Sequence, residues 1–206
     1  IEQNPNVTEN TYEDIFASNI DTNSVERRYE VSLNEEEDYL WAMTEGRKAT
    51  LENAKKAVEL GVTKIIPVDT KRCVVKLDDK KAEAKIKRWQ SISESAAKQS
   101  GRGEIPQILN VMSFSKAMEY VKDFDVKLIP YECEQGGMER TRELIRKVKP
   151  GMKVAIFIGP EGGFEESEVK LATDNEVCPI TLGRRILRTE TAGLMILSVL
   201  VYELEE

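Results

Sequence analysis

Two short segments concentrate the groups on which chemistry could run. The first is Ile158-Gly-Pro-Glu-Gly-Gly-Phe164, where Gly159, Gly162 and Gly163 remove three side chains from seven positions, Pro160 stiffens the backbone, and Glu161 sets a carboxylate at the tip. Such a loop lets a ligand approach backbone N–H and C=O groups directly; taken alone, the heptapeptide also suits a tight strand-to-helix turn. Its spacing is neither G-x-G-x-x-G nor G-x-x-x-x-G-K-[ST], which disfavours dinucleotide and P-loop phosphate binding. The second segment is Leu182-Gly-Arg-Arg-Ile-Leu-Arg-Thr-Glu-Thr-Ala192. Gly183 opens it, and Thr189 or Thr191 is placed to cap an apolar helix. Arg184, Arg185 and Arg188 bring three planar guanidinium forks into five residues. Unless they pair with acids upstream, they mark an anionic partner such as phosphate or carboxylate.

What the chain lacks narrows the chemistry further. Among 206 residues there is no histidine, which excludes a Ser-His-Asp triad, a histidine base and imidazole ligation of zinc or iron. Cys73, Cys133 and Cys178 are too few and too scattered for a disulfide framework or a C-x-x-C zinc site. The expectation is a cytoplasmic protein without a metal, working through carboxylates, guanidinium groups, hydroxyls, backbone amides or a borrowed cofactor. The net charge of −7 hides a strong asymmetry. Residues 1–45 hold twelve acids and two bases, whereas residues 64–102 hold eleven bases and five acids. That basic stretch suits a phosphate backbone, or it is a solvated helix face.

The elements that must position these groups follow from hydrophobic period. Helical and strand-like stretches alternate from residue 49 onward, the rhythm of a parallel α/β domain. A helix over 49–60 closes at Gly61, a short strand covers 64–68, and a second helix over 80–99 ends at Gly101. Further strands are expected at 105–109, 126–130, 154–158 and 178–182, with helices at 115–121, 138–148, 165–172 and 190–204. Ligands of open α/β sheets gather outside the carboxyl ends of strands, so Pro130-Tyr131-Glu132 forms a third candidate loop. Residues 1–43 are acidic, lack a long helical period, and read as a small β-rich fragment joined through Glu35-Glu-Glu-Asp38. Leu194, Ile196, Leu197, Val199, Leu200 and Val201 make the last helix more apolar than one packed face requires, which fits a dimer interface. No apolar run approaches the ~20 residues of a membrane span. The chain opens on Ile1 rather than methionine, so its natural start is expected to lie upstream.

Taken in order, Ala57-Val-Glu-Leu-Gly-Val62, Gln99-Ser-Gly-Arg102, Ile129-Pro-Tyr-Glu132, residues 158–164 and residues 182–192 resemble the RsmE-type 16S ribosomal RNA uracil-N3 methyltransferases of the SPOUT superfamily. The resemblance covers residues 44–206 and implies a parallel sheet with a C-terminal trefoil knot. Residues 1–43 would be the remnant of a PUA-like β-barrel that binds RNA. It implies a homodimer that binds S-adenosyl-L-methionine and methylates N3 of the uridine at position 1498 of 16S rRNA in the small ribosomal subunit. The cofactor would lie against Pro130, Tyr131, Glu132, Ile158, Gly159, Pro160, Glu161, Gly162, Gly163, Leu182, Gly183, Ile186, Leu187, Arg188, Thr191 and Ala192. Leu182, Ile186 and Leu187 would sandwich its adenine. Methyl transfer from a sulfonium needs placement rather than metal or histidine. The proton on uridine N3 must leave, and Arg188 is suited to steady the charge that develops on the uracil oxygens, with Glu161 or Glu190 as proton acceptor. Arg102, Arg184 and Arg185 are expected to contact RNA. Two departures stand out: Lys98 where the family carries an acid, and Thr44-Glu-Gly-Arg-Lys48 in place of a more basic lead-in. The alternatives are a non-catalytic RNA- or ribosome-binding module on the same scaffold, and an unrelated α/β enzyme whose arginines point into a closed pocket.

Overall fold

A computed structural model describes residues 39–44, 49–73, 79–132 and 137–204. The chain divides into Ile1–Asn34 and Glu35–Glu206; the β fragment expected within residues 1–43 lies outside the described residues up to position 38. In order, the elements are β1 (Tyr39–Thr44), α1 (Ala49–Glu59), β2 (Lys64–Asp69), α2 (Asp79–Gln99), β3 (Gln107–Ile108), β4 (Met112–Ser113), α3 (Phe114–Tyr120), β5 (Val126–Pro130), α4 (Gly137–Arg146), β6 (Val154–Ile158), α5 (Glu166–Asp174), β7 (Cys178–Ile180) and α6 (Thr189–Leu204).

The strands pair in parallel in the order β3-β2-β1-β6-β5-β7, with β4 also on β2. Helices cover both faces, so inner strands read as continuous apolar runs rather than alternating ones. In β6 all five residues are buried. Val154, Ile156 and Ile158 join the core under α1, α2, α4 and α6, while Ala155 and Phe157 join the opposite core with Phe114, Phe164 and Val169. β2 divides the same way, Ile65 to the first core and Ile66 and Val68 to the second. Its Pro67 sits where the outer edge is interrupted, between the Ile65–Ile108 and Val68–Met112 pairs, so the missing N–H leaves the sheet intact there.

One boundary must be corrected. A division between residues 43 and 44 assigns Tyr39–Met43 to the acidic appendage, but these residues, with Thr44, form the central strand β1, paired with β2 on one side and β6 on the other. The compact unit begins at Glu35.

Arg102 is also reassigned. Gly61 and Gly101 both take positive φ, at 88° and 71°, as expected of residues that terminate α1 and α2. The Arg102 guanidinium then donates to the carbonyls of Val58 (2.9 Å), Val62 (2.6 Å) and Gly61 (3.3 Å). They lie in the last turn of α1 and in the turn that follows it, where helical hydrogen bonding runs out. Burial pushes the Arg102 pKa down and nearby Glu104 partly restores it. The motifs around Val62 and Arg102 therefore form one structural joint, in which the guanidinium is held by backbone carbonyls. Arg102→Ala is expected to cost about 2–3 kcal/mol by stranding these acceptors. In a melt that is a fall of roughly 5–10 °C for a domain of this size.

Among the described residues, no helix is long and apolar enough to cross a membrane.

Candidate cofactor and substrate site

β6, β5 and β7 lie side by side, and the loops leaving their carboxyl ends line one cavity of about 760 Å³. That volume falls within the roughly 300–1,000 Å³ of small-ligand clefts. The loop of residues 159–165 follows β6. Its turn is closed by the Gly163 N–H on the Pro160 carbonyl at 2.8 Å, with Gly163 at φ 68°. Phe164 is buried under the loop, tilted on Phe114 with ring centroids 5.6 Å apart. The reason for glycine at 159 is visible here: a Cβ there would stand 3.1 Å from two Phe164 ring carbons.

The second loop, residues 181–188, follows β7 and is anchored at its start by Thr141 of α4. The buried Thr141 hydroxyl donates to the Thr181 carbonyl at 2.9 Å and accepts the Thr181 N–H at 3.2 Å. Gly183 then takes φ 117°, a conformation that side chains rarely adopt. The two loops meet directly, because the Thr189 hydroxyl donates to the Gly159 carbonyl at 3.0 Å. Thr189 was expected to cap α6; as its first residue it ties α6 to the β6 loop. Thr189→Val removes one neutral hydrogen bond of about 1 kcal/mol. Cofactor affinity measured by titration calorimetry is expected to drop about fivefold.

Every residue assigned to the cofactor lines this cavity except Thr191, which is exposed in the first turn of α6. Ile186 is at the rim but 83% exposed; the apolar wall is made by half-buried Leu182 and Leu187 rather than by a three-residue sandwich. Arg184 and Arg185, expected to face RNA, belong to the same wall, as do Glu190, Thr181, Phe164 and Thr189. The last three were not foreseen. Phe164 closes the glycine motif in sequence and gave a signal as its terminal aromatic, whereas nothing in the sequence links Thr181 to Thr141. Arg102 lies elsewhere, in the α1–α2 joint.

Charge is arranged for an open anionic partner. Arg184, Arg185 and Arg188 are exposed and make no ion pair among the described residues. Glu132 and Glu161 are exposed on the facing loops, and Glu190 is half-buried at the start of α6. No group of acidic, cysteine or histidine side chains suited to hold a metal occurs among the described residues. The glycine backbone of 159–163, the apolar pair Leu182 and Leu187, and flanking carboxylates together suit a nucleoside with a charged tail.

A parallel sheet covered on both faces, with a small-molecule crevice outside the carboxyl ends of three neighbouring strands, defines an open α/β protein of the nucleotide-binding kind. Residues 34–201 match the RNA methyltransferase domain, and the chain belongs to that family. It is 41% identical to ribosomal RNA small subunit methyltransferase E of Bacillus subtilis over 153 residues, 73% of this chain and 60% of the relative. The crystal structure of the ribosomal RNA small subunit methyltransferase E from Neisseria gonorrhoeae bound to S-adenosyl methionine superposes with a TM-score of 0.66 at 32% identity, covering 81% of this chain and 65% of that one. A Legionella pneumophila protein solved with the bound cofactor SAM gives a TM-score of 0.73 at 33% identity, covering 82% and 67%. The chain thus spans about 60% of the length of the curated relatives it matches.

Proposed function

We propose that this chain is the methyltransferase part of a cytoplasmic enzyme that transfers the methyl group of S-adenosyl-L-methionine to N3 of a uridine in 16S ribosomal RNA, at position 1498, within the small subunit. The observation that carries this reading is the convergence of residues 159–164 and 181–190 on one cavity, joined by the Thr189–Gly159 hydrogen bond, with three arginines at its open rim that have no acidic partner among the described residues. A small anionic substrate would favour guanidinium groups enclosed in a pocket; exposed ones favour a polyanion. The identity to rRNA methyltransferase E and the likeness to SAM-bound structures support the same reading.

S-Adenosyl-L-methionine, when bound, supplies a methyl group on a sulfonium that needs neither metal nor covalent enzyme intermediate. The chain's own residues do the rest. Backbone groups of Gly159, Gly162 and Gly163, with Leu182, Leu187 and Ala192, hold the adenosine part, and Pro130, Tyr131 and Glu132 close its other side. Arg188 stands where it can stabilise negative charge on a uracil carbonyl as N3 loses its proton. Glu190, at the same rim, or Glu161, at the loop tip, accepts that proton. Arg184 and Arg185 hold phosphates beside the unpaired base, which must leave its stack to expose N3.

The proposal includes the SPOUT knot in residues 159–204, a PUA-like identity for the segment before Glu35, and a homodimer. The dimer is supported by a groove of about 230 Å³ between α4 and α6, in which apolar Met138, Ile145, Met195 and Val199 are flanked by Arg142, Arg146 and Glu203. In sedimentation the protein is expected at twice its 23.4 kDa mass. The deciding experiment supplies labelled S-adenosyl-L-methionine with naked 16S rRNA or assembled small subunits and maps the modified nucleotide. Micromolar binding of the donor with label on uridine N3 supports the reading. No donor binding, or label on another base or on no RNA, overturns it.

A further inference from the structure

We infer that Arg72, set in place by Glu168, is a positioning residue that grips the loop of residues 159–165 from outside the cavity; this rests on reading that loop as the cofactor loop. Three glycines leave the loop with few side chains to define its shape, and glycine loses the most backbone freedom on ordering. Its form must come from neighbours. Phe164 anchors it from below and Thr189 holds the Gly159 carbonyl from the α6 side. On the far side the Arg72 guanidinium donates to the Gly162 carbonyl at 2.9 Å, a contact across ninety positions of sequence. A Cβ at Gly162 would meet the Arg72 stem at 3.5 Å, so the arginine lies along the glycine in ordinary van der Waals contact.

Arg72 is itself exposed, yet its backbone is fixed. The turn after β2 closes with the Cys73 N–H on the Thr70 carbonyl at 3.1 Å. The Lys71 N–H donates to Glu168 Oε1 at 2.8 Å, and the Glu165 N–H donates to Glu168 Oε2 at 2.9 Å. Glu168 is 4% exposed. A carboxylate buried that deeply is costly unless its oxygens are well satisfied. Here each takes a backbone N–H, one from the β2 turn and one from the end of the 159–165 loop, so the same side chain clamps both segments. The Lys71 ammonium pairs with Glu165 at 2.8 Å, and this pair, with the Ser167 hydroxyl donating to the same carboxylate at 3.2 Å, holds the Glu165 carboxyl below the usual range. Neither Arg72 nor Glu168 lines the cavity, which is why their effect must pass through the loop.

The test compares the full chain with Arg72→Ala and Arg72→Lys in three measurements: hydrogen exchange of the ligand-free protein, titration with S-adenosyl-L-methionine, and thermal melting. For Arg72→Ala, exchange within residues 159–165 is expected to rise about tenfold and donor affinity to fall about tenfold. The melting temperature should stay within about 2 °C, as for most surface substitutions. Arg72→Lys should recover part of the affinity. Unchanged exchange in the loop would overturn the inference. So would unchanged donor affinity with a raised KM for RNA, which would make Arg72 a substrate contact. Faster exchange spread over the whole domain would reduce it to general stability. If the wild-type protein itself does not bind the donor, the proposed function fails, while the exchange data still decide whether Arg72 holds the loop.

Discussion

Replacing Arg188 by alanine is expected to lower methyl transfer to RNA about 10²–10³-fold at saturating donor, the usual loss when one donor to a developing oxyanion is removed, with donor affinity within about threefold of wild type. The backbone at this position is fixed. Its carbonyl accepts the Ala192 N–H at 2.8 Å as α6 begins, and the next residue, Thr189, is bonded to Gly159. The side chain therefore starts from a defined point at the rim, exposed and without an acidic partner among the described residues. A guanidinium offers only donors and no acceptor, so it serves as an electrostatic partner and not as a base. Two further readouts separate this role from simple RNA affinity. In Arg188→Ala the rate should climb more steeply with rising pH than in wild type, because hydroxide then ionises N3 without help. Arg184→Ala and Arg185→Ala should instead raise the KM for RNA and reduce the slope of its salt dependence by about one, the signature of a lost phosphate contact. Wild-type turnover in Arg188→Ala would remove it from the chemistry. Rapid single-turnover assays of all three variants at several salt concentrations distinguish these outcomes.

The contrast between Arg188 and Arg102 shows where sequence is informative. Both are arginines near a glycine after an element, and by residue type both suit a phosphate. Only the fold reveals that Arg102 meets three backbone carbonyls at and just after the end of α1, some forty positions earlier, whereas Arg188 meets none among the described residues. Local pattern was enough wherever the cause was local. β6 was legible to the residue because a strand buried on both faces becomes a continuous apolar run, and β5 was legible too although Lys127 interrupts its run. Of the span 105–109, expected as one strand, only Gln107–Ile108 pairs, and the second short edge piece, Met112–Ser113, falls beyond it, on the other side of the position of Pro67 in the neighbouring strand. β1 was lost to the appendage because an acidic run precedes it, and only its pairing with β2 and β6 places it at the centre of the sheet. At the site, the glycine and arginine motifs were legible by composition. Thr141, Glu168 and Arg72 were not, since each acts on a loop 40 to 97 positions away through a hydrogen bond to backbone, which leaves no residue-type signature.

Gly159→Val should give the other large effect, a loss of about two orders of magnitude in affinity for S-adenosyl-L-methionine. A Cβ at this position already reaches 3.1 Å from Phe164 Cδ2 and Cε2, and the branched side chain adds two carbons to the same space. The ring has nowhere to go. Phe164 is 4% exposed, lies against Phe114 at 5.6 Å, and Phe114 in turn packs edge-on against Phe157 at 5.9 Å. Overpacking of a filled core is relieved by backbone displacement at about 1–3 kcal/mol. The softest backbone here is the glycine loop itself, so the displacement falls on the groups that hold the cofactor. The Gly159 carbonyl that receives the Thr189 hydroxyl moves with it, coupling the error into the second loop. Crowding, rather than a general need for glycine, makes a specific demand on a double variant. Phe164→Leu removes the ring atoms in question and by itself should weaken binding modestly through lost packing. Combined with Gly159→Ala, it should restore affinity relative to Gly159→Ala alone, with a coupling energy of about 1 kcal/mol or more in the double-mutant cycle. Strict additivity, measured by calorimetry on the four proteins, would mean that the ring and the added methyl do not compete. The glycine would then be required for a ligand that approaches the backbone at that point.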